Sequence, residues 1–130
     1  MSPRENILEA LRATLTPILP AGVSRSRKEQ LPSLPAIVIT PESETAPGDT
    51  LGYTDSLLTV AIAIYAHSEI PDQAIDPVIA DVITALQADP TLSLGSDVQI
   101  MPGRRIEWDI ENYDDGAATL RLDITYRTYP

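Results

Sequence analysis

His67 is the single histidine of the chain, at the end of the apolar run "LLTVAIAIYAH" (57–67), where an imidazole could act as a general base. A base needs a nucleophile to activate. The sequence has no cysteine and no serine set in a strand-to-helix elbow pattern, so His67 reads as an exposed or hydrogen-bonded structural residue. Calcium binding is the next chemistry to consider, through the acids of "WDIENYDDG" (108–116). There Tyr113 and Asp114 stand where a calcium loop needs an oxygen ligand and its turn glycine. The spacing fails, and a hairpin accounts for the same acids: Asp109 and Glu111 on the exposed face of a strand, Asp114 and Asp115 in a turn. No glycine pattern matches a phosphate loop or a dinucleotide fingerprint, and acids alone select no pair for glycoside hydrolysis. The expectation is a protein that is not an enzyme and needs no metal or cofactor.

Charge offers a different chemistry. The chain holds nine Lys and Arg against nineteen Asp and Glu, a net charge of −10, yet Arg25, Arg27 and Lys28 sit together in "RSRKEQLPSLPAIVIT" (25–40). A strongly acidic protein repels DNA, whose binding draws on Lys and Arg neutralising phosphates. Aromatic residues are also too sparse for a base-stacking platform. Nucleic acid is therefore the least favoured reading of the cluster, and a contact to another surface and a solvated loop both stay open.

These residues need elements to position them. At 130 residues the chain fits one domain, 1–130, with 43% hydrophobic residues and no Phe, so aliphatic side chains must build the core. The N-terminus lacks the continuous apolar stretch of a signal peptide, and "LLTVAIAIYA" (57–66) is about half a membrane span. A soluble protein with no membrane partner is expected.

Ser2, Pro3 and Glu5 form a helix start with the order of a capping box, and Ile7, Leu8, Leu11 and Leu15 follow at helical spacing until Pro17 and Pro20. "VSRSR" (23–27) predicts a short strand and "LPAIVI" (34–39) a longer one. "TPESETAPGDTLG" (40–52) predicts a loop, in which Glu42, Glu44 and Asp49 are candidate partner-binding residues. "YTDSLLTVAIAIYAH" (53–67) predicts a central strand, its second face small and mildly apolar as if also covered. A second helix is predicted with Asp76 as N-cap and Pro77 in its first turn, ending at Pro90. Two alternating strands around the "NYDDG" turn predict an antiparallel hairpin, and Pro102-Gly103 a bulge before it. The fold class is α+β, a single mixed or mainly antiparallel sheet packed by two helices in the order α-β-β-β-α-β-β. Leu11, Ile62, Ile83, Trp108 and Leu122 are expected to be buried.

Three blocks in this order carry a resemblance: "VSRSRKEQLPSLPAIVITPESE" (23–44), "LLTVAIAIYAHSEIPDQAIDPVIADVITALQADPTL" (57–92) and "IEWDIENYDDGAATLRLDITYRTYP" (106–130). With the N-terminal helix they cover nearly the whole chain. In order, spacing and the closing "TLRLDITYRT", the sequence resembles the tail terminator proteins of long-tailed phages and prophages, the minor tail protein U class. The "PGRR" run (102–105) departs from that pattern.

The resemblance implies a viral structural protein that forms a hexameric ring, caps the tail tube, ends its polymerisation and receives the head. Its implied partners are further copies of itself, the tail tube protein and a head completion or neck protein. Its implied location is the head-proximal end of the virion tail, after assembly in the bacterial host cytoplasm. No catalytic residues come with it. Within that frame Arg25, Arg27 and Lys28 are candidate subunit or tube contacts. Another head–tail joining protein is the near alternative. A small cytosolic ligand-binding domain, with a pocket between helices and sheet, is the alternative of a different class.

Overall fold

A computed structural model of the chain describes residues 2–20, 22–25, 35–46, 49–50, 52–110 and 115–129. Helix α1 (Pro3–Leu15) starts where the capping pattern places it. The Ser2 side chain accepts a hydrogen bond from the Glu5 backbone N–H at 3.1 Å, and Pro3 fills the first turn. Ile7, Leu8, Leu11 and Leu15 are all buried. Only half of the capping box forms, because the Glu5 carboxylate turns to an arginine instead of back to Ser2.

Strands β1 (Val23–Arg25), β2 (Ala36–Thr45), β3 (Asp49–Thr50) and β4 (Tyr53–His67) precede helix α2 (Pro71–Ala88), and β5 (Val98–Asp109) and β6 (Asp115–Thr128) follow it. Apart from the two-residue β3, this is the predicted order. The described strands form one sheet in the order β1-β2-β4-β6-β5, with β3 paired beside β4. Only β1 and β2 run parallel, so the sheet is mixed and β4 is central. Both helices cover one face. Leu58, Val60, Ile62 and Ile64 of β4 and Leu120, Leu122 and Ile124 of β6 point into a single core with Leu11, Leu15, Ile75 and Val82. No helix among the described residues is long and apolar enough to cross a membrane.

Three boundaries differ from the sequence reading, each for a local reason. The stretch after Thr40 is not a loop: β2 continues to Thr45, paired with β4 as far as Leu57. Its register shifts between Pro41 and Ser43, so the proline falls at an irregularity in the ladder. Helix α2 begins at Pro71 rather than at Asp76, with Pro77 inside it. The longer helix buries Pro71 and Ile75, and the Pro77 ring lies on its exposed side. Finally, Trp108 is not in the core. It is 46% exposed, while Leu11, Ile62 and Leu122 are buried as expected and Ile83 is partly buried. Trp108 does share the helix-side face, opposite the buried Ala118, but β5 is the edge strand and α2 packs over β4 and β6. Inward alternation at an uncovered edge does not bury a side chain.

The hairpin of β5 and β6 pairs from Asp109–Ala117 back to Val98–Tyr126. Its register shifts between Ile100 and Arg104, which is where Pro102-Gly103 predicted a bulge.

Candidate functional site

The few cations of this acidic chain are mostly spent inside it. Arg25 ends β1 on the helix side, facing Glu5 and Glu9, which lie one turn apart on α1. Its guanidinium donates to Glu5 at 2.5 and 3.1 Å and to Glu9 at 2.8 Å, and Arg12 adds a bond to Glu9 at 3.0 Å. The Arg25 side chain is only 21% exposed, and its Nε is buried with no hydrogen-bond partner among the described residues. The sequence reading took Arg25 for a contact to other molecules; the structure places it as the tie between β1 and α1. Arg27 and Lys28, its companions in that reading, lie outside the described residues.

Glu42 and Glu44 sit on the polar half of β2, not on a loop. Arg4 grips Glu44 through two bonds of 2.8 and 2.7 Å, and the Tyr126 hydroxyl donates to the same carboxylate at 2.5 Å. This joins α1, β2 and β6. Glu42 lies on the other face, where it accepts from Arg121 at 2.6 Å; Arg121 also bridges to Glu107. Asp49 belongs to β3, and its side chain lies outside the described ones.

Neither described helix lies over that second sheet face. It carries Arg127, bound to Asp55 at 2.7 and 3.1 Å and stacked 3.9 Å from the Tyr53 ring centre, and Thr59, which donates to Asp123 at 2.7 Å. The small residues Ala61 and Val38 are buried among these longer neighbours. Cross-strand side chains supply the cover that the pattern of β4 suggested.

Reversing the charge at Arg25 should therefore weaken the fold itself. Arg25→Glu puts a third carboxylate against Glu5 and Glu9, and the melting temperature should fall by on the order of 5 °C. An unchanged melting temperature would show that the tie between β1 and α1 contributes nothing.

The same pairs set a pH dependence. Hydrogen bonds from Arg25 hold the Glu5 and Glu9 carboxyls below their ordinary value of 4.5, with Arg12 assisting at Glu9. Arg4, then Tyr126, does so at Glu44, and Arg127 lowers Asp55 below 3.8. Groups depressed in the folded state stabilise it above their unfolded pKa and lose that contribution as pH falls through the folded one. Resistance to urea should hold from neutrality to about pH 5 and then decline steadily below it. Tyr126 works in the opposite direction: burial, then its bond to Glu44, raises its pKa above 10. Its contribution is complete below that value and disappears as pH climbs through the raised one. A urea midpoint that rose on acidification below pH 4.5 would contradict the assignment.

His67 ends β4 opposite Asp115 and is exposed. Among the described residues, no three of His, Asp and Glu come together to hold a metal ion; Glu111 and Asp114 lie outside them. A cavity of about 440 Å³ opens between the C-terminal half of α2 and the bulge of β5, lined by Ile83, Leu86, Met101, Leu120 and Leu122 together with Gln87 and Arg104. The ligand-binding alternative places a pocket between helices and sheet but names no residues for it. The "PGRR" break was its one signal, since a strand that bulges at a sheet edge lifts away from the helix beside it.

No protein-family model matches the sequence, and no curated protein matches it either. Solved structures do. One is a protein in the virion of a native gene transfer agent particle, similar with a TM-score of 0.63 and 15% identity over 92% of this chain and 90% of that one. A second has a TM-score of 0.65 and 14% identity over 98% of this chain and 94% of that one. At these identities the likeness is one of fold, and it spans essentially the whole chain.

Proposed function

We propose that this chain is a structural subunit of a phage-like particle and, within it, the tail terminator. The carrying observation is the fold likeness, over nearly its full length, to a protein of a gene transfer agent virion. The block order of the sequence narrows the reading from particle subunit to terminator. Six copies close a ring on the head-proximal end of the tail tube and stop tube growth, and the opposite ring face receives the head completion or neck protein. A head-to-tail ring has two unlike faces, which is what a piece between two different partners requires. Arg27 and Lys28 take the contact to the next subunit or the tube, since Arg25 beside them is held by α1. Asp49 of β3 remains the acidic candidate for contact to a basic partner surface, since Glu42 is held by Arg121 and Glu44 by Arg4 and Tyr126.

The chemistry fits a subunit without turnover, because its charged side chains pair across elements instead of converging on a cleft. The test is native mass spectrometry of the purified chain with electron microscopy of tail tubes mixed with it. A six-membered ring seated on one end of each tube is expected; tube ends that stay bare contradict the reading. The cavity under α2 favours a second reading, a ligand-binding domain, and a small molecule that raised the melting temperature in proportion to occupancy would support it.

A further inference from the structure

Two cations of the described chain are left over once the internal pairs are counted. Arg4, Arg12, Arg25, Arg121 and Arg127 each bind a carboxylate through a bond of 3.0 Å or less. Arg104 has no ion pair among the described residues. Arg105, 75% exposed, reaches only Glu107 at 3.4 Å. Both lie on β5, whose outer edge has no partner strand among the described residues. The same edge exposes Trp108 at 46% and Ile110 at 40%.

We propose that two copies of this chain pair along β5, edge to edge and antiparallel, with Ile106 on the two-fold axis. That register is fixed by the run Arg104-Arg105-Ile106-Glu107-Trp108. A two-fold axis through Ile106 sets each Arg105 opposite the other copy's Glu107, and each Arg104 opposite the other copy's Trp108. Paired strands lie about 4.8 Å apart, so opposed side chains touch.

The two faces of the strand then carry different contacts. On the open face, two Arg105–Glu107 pairs form across the axis, where within one chain Arg105 reaches Glu107 only at 3.4 Å and Glu107 is otherwise bridged by Arg121. On the helix side, Ile106 meets Ile106 and each Arg104 guanidinium lies over a Trp108 ring. Trp108 lines a groove with Asp72, Gln73, Asp76, Pro77 and Ile110, so the incoming Arg104 also meets two carboxylates of α2.

Edge strands often carry charges that prevent pairing, but those charges repel their own copy. Here the order of signs is self-complementary about Ile106, and the edge attracts it. Pro102, which lacks an N–H, falls outside the paired segment. A two-fold contact does not close a ring, so this pairing belongs to the subunit before assembly. It is independent of whether the chain caps a tail.

The experiment is sedimentation equilibrium of the full chain, with two charge variants. The wild type should show a reversible monomer–dimer equilibrium at micromolar concentration. Arg105→Glu alone and Glu107→Arg alone should each weaken it on the order of a hundredfold, because like charges then oppose each other twice. An equimolar mixture should pair again, since one variant offers carboxylates at both positions and the other guanidiniums at both. Trp108, the sole tryptophan, gives a second readout that needs no variant: its emission should move to longer wavelength as the wild type is diluted to monomer. A wild type monomeric at high micromolar concentration, variants that pair as well as the wild type, a mixture that stays monomeric, or an emission indifferent to dilution would each overturn the proposal.

Discussion

Ile62→Ala should cost about 2–5 kcal/mol of folding stability, a large part of what a domain of this size holds. Ile62 is fully buried at the middle of the central strand. It is paired with Ile39 on one side and Leu120 on the other, and the helices close the space above it. Strands on both flanks and helices above leave no route for neighbours to collapse into the cavity, which places the substitution toward the costly end of the range. Trp108→Ala is the control. Trp108 is the larger side chain, but it sits half-exposed on the edge strand, and its loss from the monomer should cost about 1 kcal/mol or less. Urea unfolding of both variants checks this, and equal losses would contradict the assignment of core and edge.

Gly116→Ala should also be damaging, although it only adds a methyl group. A β-carbon at Gly116 would stand 2.5 Å from the Pro71 β-carbon and 2.7 Å from the Ile110 δ-carbon. The Ile110 side chain can swing aside. Pro71 cannot, because its ring is fixed and buried at the first turn of α2. The start of the helix has to move off the sheet, a strain of roughly 1–3 kcal/mol. The cause can be isolated by a double-mutant cycle: in a Pro71→Gly background the added methyl meets less resistance, and the cost of Gly116→Ala should shrink by about half or more. Independent, additive effects would show that the contact does not carry the strain.

Gly116 also shows how far the sequence could be read. In the "NYDDG" run it looks like a turn glycine, chosen for backbone freedom. It lies instead within β6, and its backbone is not in the left-handed region. A glycine needed for close approach and one needed for a turn look the same in a sequence. Only the partner across the gap distinguishes them, and Pro71 is 45 residues away in the chain.

Periodicity was reliable wherever an element faces the core. The stripe of α1, the alternation of β4 and β6, and the mixed sheet with two helices were all legible, because burial imposes a repeat on the residue types. It failed at Trp108 for the converse reason, since the repeat is present on β5 without the helix that would cover it. The polar half of β2 was hidden by its composition. Pro, Glu, Ser and Thr read as a loop, and the strand exists because β4 is long enough to pair with it.

Charge was the least legible layer. Arg25 stood out as part of a basic cluster, but its partners are Glu5 and Glu9, helix residues about one turn apart and far from it in sequence. An isolated count of cations cannot tell a tie within the fold from a contact between molecules. Arg104 and Arg105, the cations without a close internal partner among the described residues, lie in the "PGRR" run that the family resemblance left unmatched.

The central claim is that this chain ends the polymerisation of a tail tube. Its most direct test is the distribution of tail lengths in particles assembled with and without the gene. With the protein present, tails should have one length and carry heads. Without it, tubes should grow past that length and fail to join heads, and supplying the chain in trans should restore both. Tails of unchanged length that join heads efficiently in its absence would contradict the account.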